Sequence, residues 1–294
     1  MKAVGLAVLG FFCFTLMDLS IKWLLQSHSL MQVTFFNSLF AVMGLLIWIY
    51  PNFSVLKTRH PRIHLVRAMI VLVVDLLAFY SYGEVPLAEA YTLILTMPLF
   101  TVVFSIIVGY ESVRFSRILL SFLGFGGILL VLAPSFGNLE IAMLAALTSA
   151  VIESVGFLII THNKHRESPQ AFAFYGMALL VLVSGVLSIS GYRTMTSEHW
   201  LVSIAGGTCY ALASALVVSA FHCGQPGTVS SIQYSQLLWG MLLGLLIWGD
   251  VPNTQAMVGG GVIVVAGLLL IFTKSKSNEK DAPVVPEPLP KAAP

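Results

Sequence analysis

The stretch FTLMDLSIKWLL, residues 14–25, holds two charges, Asp18 and Lys22, in an otherwise uncharged and mostly apolar run. Four residues apart on a helix, they share a face, and each can act as the other's counter-ion. A charge at membrane depth costs about 2.5–3.5 kcal/mol on insertion scales, so it persists where it faces the protein interior and finds partners. Asp75, in VLVVDLLAF (71–79), sits at the same expected depth as Asp18. That is about 10 Å from the outer helix end at 1.5 Å per residue. Asp18, Lys22 and Asp75 therefore read as a triad, either a structural bridge between two helices or a gate and substrate contact. Glu153, in TSAVIESVGFL, has no cation at helical spacing on its own helix. It suits a coupling group for protons or a contact for a cationic substrate, with a neutral acid bonded to a neighbouring helix as the structural alternative.

A second group is polar and aromatic. Gln233, Gln236 and Trp239 recur every three residues, which places them on one helix face, with Tyr234 beside them. Facing a cavity, they offer amide hydrogen bonds and a ring for stacking or cation–π contact. Tyr80, Tyr91 and Tyr210 are candidates to line the same space. Interhelical hydrogen bonding and interfacial anchoring are the alternative for all of them.

Other chemistry is missing from the sequence. It holds no nucleophile–base pair, phosphate loop or metal-ligand set. His60 and His64 are interrupted by Pro61, and Cys13, Cys209 and Cys223 lack a CxxC spacing. No catalytic residue, metal or cofactor is expected. A membrane-embedded enzyme is the non-transporter alternative; it would be favoured by histidine and acid clusters at one membrane face, which the sequence lacks.

The scaffold for these residues follows from composition. Of 294 residues, 57% are hydrophobic and 10% charged, against about 25% charged in soluble domains. With a mean hydropathy of +0.91, this is an all-α integral membrane protein. A net charge of +2 gives no reason to expect nucleic acid. Ten apolar runs approach the roughly 20 residues a spanning helix needs. They are 4–25, 31–50, 64–83, 87–109, 116–133, 139–161, 170–190, 200–221, 228–249 and 255–272. The first follows Lys2 but is long and internally charged, so it reads as a span rather than a signal peptide. Residues 274–294 are charged and proline-rich and read as a disordered tail.

With the N-terminus in the cytoplasm, 13 of the 15 Lys and Arg fall on the inner side, among them Lys57, Arg59, Arg62 and Arg67. Both termini are expected inside. The chain also repeats weakly. Residues 80–111 and 219–250 share a helix end, a proline turn, a long helix and a final acid (Glu111, Asp250), at an offset of 139. GFGGILLVL (124–132) likewise matches VVAGLLLIF (264–272). Five spans per half, 1–138 and 139–273, give two inverted repeats, an arrangement that places a binding site near the bilayer midplane.

The FxxMDxxxKWL pattern of the first span, the PLF…YE ending of the fourth and QYSQLLWGMLLGLLIWGDVP in the ninth resemble the drug/metabolite transporter superfamily. The resemblance is to its EamA-type ten-helix carriers, in the branch of S-adenosylmethionine and riboflavin uptake carriers, and covers nearly all of residues 1–273. Where such carriers often have an arginine in the second helix, this chain has FFNSLF with Asn37. The resemblance implies a secondary carrier of the cell inner membrane, monomer or homodimer, with a cavity between its halves. Acids outnumber bases within the spans, which points to a zwitterionic or cationic metabolite with an aromatic or apolar part, and to protons as a candidate coupling ion. Export of amino acids or drugs by the same fold is the alternative.

Overall fold

A computed structural model describes residues 2–85, 87–109, 115–132, 141–249 and 254–272. Glu111, Asp250 and the 274–294 tail lie outside the described residues. Those described form helices and connecting turns, with no strand among them. A chain in lipid has to satisfy its backbone polar groups internally, and a helix does this within one segment.

The helices are α1 (Lys2–Leu25), α2 (Leu30–Ile49), α3 (Pro61–Glu84), α4 (Leu87–Ile94), α5 (Met97–Ile107), α6 (Phe115–Leu132), α7 (Ile141–His162), α8 (Pro169–Ser188), α9 (Ser197–Cys223), α10 (Pro226–Ser231), α11 (Ser235–Trp248) and α12 (Thr254–Phe272). Seven helical segments among the described residues are long and apolar enough to cross a membrane; one of them runs through the α4–α5 turn from Glu89 to Ile107. Large apolar side chains such as Ile47, Leu182 and Leu246 are more than two-thirds exposed on the outside of the bundle, as a lipid-facing surface requires.

Two expected spans are broken. The fourth divides into α4 and α5 around a turn at Leu95–Thr96. Pro98 explains the break: it has no N–H to give the carbonyl of Ile94, and its ring crowds the preceding turn. The ninth divides into α10, a single 3₁₀ turn at Ile232–Tyr234, and α11. No proline marks this second break. Ser230 and Ser231 instead turn their hydroxyls back on the carbonyl of Gly227, a local bond that competes with the helix ladder.

Two helix starts also stand 139 residues apart. The Ser29 hydroxyl accepts from the N–H of Gln32 at the start of α2, and that of Ser168 from the N–H of Ala171 at the start of α8. Such caps satisfy backbone donors that would otherwise have no partner.

The core lies between the two halves of the chain. From the first half, α1 packs on α9, α3 on α7 and α8, α2 on α8 and α9, and α6 on α12. Two close approaches set up the interior. A methyl group at Gly240 of α11 would strike the ring of Tyr91 on α4. One at Gly156 of α7 would come within 2.9 Å of the Arg67 guanidinium. Small residues at helix contacts permit such approach.

Candidate functional site

The helix breaks open onto a shared cavity. Ile94 and Met97 flank the first break, and Gln233 and Gln236 the second. The four residues stand in pairs 139 apart and line the cavity together with Asp18, Asp75, Tyr82 and Glu153. Phe11, Phe14, Phe79 and Phe157 make most of its apolar wall. Its volume is about 90 Å³. This holds a few waters, since one needs about 10–15 Å³ on the same measure.

Each carboxylate has a specific partner from another helix. Tyr91 donates to Oδ2 of Asp18 at 2.8 Å, and Asp18 is only 3% exposed. Tyr82 approaches the same carboxylate, and Asp75 is close enough for its charge to act on it. Tyr210 donates to Oδ2 of Asp75. Arg67 grips Glu153 with two bonds, Nη2 to Oε1 at 2.7 Å and Nη1 to Oε2 at 3.0 Å. This fork-to-fork geometry is the strongest form of ion pair.

Three expectations change here. First, Asp18 takes its hydrogen bond from Tyr91 across the interior, not from Lys22. The Lys22 ammonium instead lies 5.5 Å from the centroid of the Trp248 ring. Helical spacing allows a pair, but the tyrosine is rigid, and accepting its bond avoids desolvating an ammonium. Second, Glu153 does have a cation. Arg67, counted with the inner-side charges but within the third expected span, lies in α3, 5% exposed, and reaches across to α7. Third, the polar stripe of the ninth span splits. Gln233 and Gln236 face the cavity, but Trp239 packs edge-on against Phe12 at 5.1 Å on the outside of the bundle and is 36% exposed. Gln233 and Gln236 keep one face across the 3₁₀ turn, in which residues three apart eclipse. Gln236 and Trp239 both lie in α11, where a step of three falls about 60° short of a full turn and carries the ring off that face. Among the tyrosines, Tyr91 and Tyr210 reach cavity carboxylates and Tyr80 does not line the cavity; Tyr82, which sequence reasoning missed, does.

Several buried polar groups at the two breaks have no hydrogen-bond partner: Gln233 Oε1, which can only accept, and the hydroxyls of Thr96, Tyr234 and Ser235, which can donate or accept. The phenols of Tyr91 and Tyr210 and the Arg67 fork are already committed to carboxylates. Among the described residues, neither Asp18 nor Asp75 has a cation within ion-pair distance.

The halves are tied at two further places, at opposite ends of the helices. Where α1 meets α2, His28 Nε2 bonds His199 Nδ1 at 3.0 Å, and the rings stack edge to face. Gln32 clamps the backbone of Arg193 from both sides, at 2.6 and 2.9 Å. Burial disfavours the charged form of His28, the neighbouring His199 and Arg193 add to this, and the nearby Gln32 amide opposes it. The net effect holds its imidazole below the usual histidine range.

At the other end, the loop before α8 docks on the loop before α3. Glu167 accepts from His64 at 2.9 Å and from Thr58 at 2.7 Å, and Tyr175 and Ser168 bond the carbonyls of Leu56 and Val55. Burial pushes the Glu167 carboxyl up, but the bonds from His64 and Thr58 outweigh it and leave the group below its ordinary value. His28 and Glu167 are again 139 residues apart. No group of three or more His, Cys, Asp or Glu able to hold a metal occurs among the described residues.

The EamA-like transporter family model matches residues 1–133 and 140–273. The chain is 27% identical over 277 residues to the pseudopaline exporter CntI of Pseudomonas aeruginosa, covering 93% of this chain and 97% of that protein. It is 23% identical to an S-adenosylmethionine uptake transporter of Rickettsia bellii (90% and 91% covered) and 22% identical to a riboflavin transporter of Vibrio cholerae (77% and 76% covered). A solved crystal structure superposes with a TM-score of 0.70 at 18% identity, covering 92% of this chain and 99% of the other, which shows a shared fold.

Proposed function

The chain belongs to the EamA-like transporter family, and on that premise we propose that it is a secondary carrier of a small zwitterionic or cationic metabolite, working by alternating access. It is a multi-pass membrane protein and a transporter by family rather than an enzyme. In this reading, ten spans form two inverted five-helix repeats, 1–138 and 139–273, in the inner membrane with both termini cytoplasmic. The recurrence of the 139-residue offset at the caps Ser29 and Ser168, at the two helix breaks, and at His28 and Glu167 supports the repeat.

The observation that carries the substrate class is the cavity's imbalance. Asp18 and Asp75 face the same small space, each bonded by a phenol, while the nearby Arg67 guanidinium is committed to Glu153, and Gln233 presents an unused acceptor. Two carboxylates in one apolar cavity repel each other and lose solvation. A ligand bringing N–H donors and positive charge relieves both costs, and in its absence a proton on one carboxylate does so. Glu153, held by Arg67, is a fixed wall, so the coupling role falls to Asp18 and Asp75. At about 90 Å³ the cavity is below the roughly 300 Å³ of common ligand sites. Binding therefore requires the halves to part, and the His28–His199 and His64–Glu167 contacts are placed to act as the two latches.

The test is a thermal-shift screen of purified protein against organic cations, zwitterions and anions of similar size. Cations or zwitterions should stabilise the protein, and Gln236→Ala should remove the shift while keeping the unliganded melting temperature. Stabilisation by anions alone would contradict the assignment.

A further inference from the structure

A second cavity, of about 330 Å³, lies between α3 and α8 on the outside of the bundle. Its walls are apolar over most of their length, with Leu65 and Leu182 60% and 67% exposed at its edges. One end is different. There Thr58, His64 and Tyr175 form the lining, directly beside the loop 57–60.

Two observations say what this end would take. Lys57 and Arg59 are exposed on that loop, Arg62 is exposed in the first turn of α3, and Arg166 is exposed on the loop docked against it. The acid at this junction, Glu167, is buried and already bonded to His64 and Thr58. His64 is itself only 3% exposed, and while Nε2 bonds Glu167, Nδ1 has no partner. A buried ring nitrogen left unbonded has lost its hydration without a replacement partner.

We propose that this groove binds an anionic phospholipid: an acyl chain lies between α3 and α8, the phosphate sits among Arg59, Arg62 and Lys57, and His64 Nδ1 bonds the head group. The fit is both chemical and positional. Basic pockets between membrane helices attract anionic head groups, and an apolar slot that opens sideways from a bundle admits a chain from the bilayer without exposing it to water. With Nε2 donating to Glu167, Nδ1 of the neutral ring is an acceptor, and a glycerol hydroxyl of the head group supplies the donor it lacks. Because the same imidazole holds Glu167, the bound lipid braces the contact between the α2–α3 and α7–α8 loops.

The experiment compares phosphatidylglycerol and phosphatidylcholine with identical acyl chains, added to the full-length protein in detergent, with melting temperature and native mass spectrometry as readouts. Phosphatidylglycerol should raise the melting temperature on the order of 3 °C more than phosphatidylcholine and survive as a bound adduct. Arg59→Gln with Arg62→Gln, both at exposed positions, should abolish the difference and the adduct. Ala178→Trp should block the slot and lose the gain as well; if that variant does not fold, the adduct count of the arginine variant decides alone. Equal effects of the two lipids on the natural protein, a full gain in the arginine variant, or the same gain from water-soluble glycerol phosphate would each overturn the proposal.

Discussion

Arg67 on α3 and Glu153 on α7 form a two-bond ion pair at the wall of the central cavity, joining helices that are 86 residues apart in the chain. Removing one partner of a buried pair leaves an uncompensated charge, at a cost of about 3–5 kcal/mol. Arg67→Met and Glu153→Gln should each destabilise by that order. The double variant should recover part of the loss, because it leaves neither charge stranded. Chemical or thermal unfolding in detergent measures this, and additive losses would show that the pair does not act as a unit.

Tyr91 donates to Asp18, and Gly240 leaves room for its ring. Tyr91→Phe removes the bond but keeps the ring, and should cost about 1–3 kcal/mol. Gly240→Ala pushes the ring itself and should cost at least as much. If Tyr91→Phe left both stability and substrate affinity unchanged, the phenol would have no role in holding the carboxylate.

Of the three carboxylates that line the cavity, Asp18 and Asp75 should differ from Glu153 in function. Asp75→Asn keeps the shape of the side chain but cannot ionise. In proteoliposomes, with a substrate found by the screen, it should still exchange substrate across the membrane yet fail to concentrate it against a gradient. Normal accumulation would remove Asp75 from coupling.

The histidine latch gives a prediction with a definite sign. His28 has a folded-state value below the ordinary value of about 6.5. The folded form thus binds fewer protons than the unfolded one. Its contribution is complete above about pH 6.5 and is lost as pH falls through the lower folded value. Glu167, also lowered, behaves in the same direction but in a more acidic window, below about pH 4.3. Melting temperature should therefore fall between about pH 7 and 5.5, and His28→Asn should flatten that part of the curve. An unchanged slope in the variant would place the pH sensitivity elsewhere.

Much of the scaffold was legible, because lipid imposes a simple rule. Apolar runs near 20 residues mark helices, and the first three runs lie within three residues of α1, α2 and α3. The break near Pro98 could have been anticipated from the missing N–H, whereas the break at Ile232–Tyr234 has only serines and no proline to announce it. Partners were harder to read than helices. Charge counting grouped Arg67 with the basic residues of the inner side, although it falls within the third expected span, and nothing local shows that its guanidinium turns inward to Glu153. The Asp18–Lys22 spacing was real, but the identity of the bonding partner depended on Tyr91, 73 residues away. Spacing within one helix reveals which residues share a face. It does not reveal what the neighbouring helix brings to that face.

The central claim, a shared cavity opened alternately behind two latches, is tested most directly by labelling. In a background with Cys13, Cys209 and Cys223 replaced, a single cysteine at Gln236 is exposed to a membrane-impermeant thiol reagent from each side of oriented proteoliposomes. A second protein adds a thiol cross-link between cysteines placed at Gln32 and Arg193, where the two halves are already in contact. The account predicts labelling from both sides without the cross-link. With it, labelling should be lost from the His28–His199 side and retained from the His64–Glu167 side. Labelling that persists from both sides in the cross-linked protein, or occurs from one side alone before cross-linking, would contradict it.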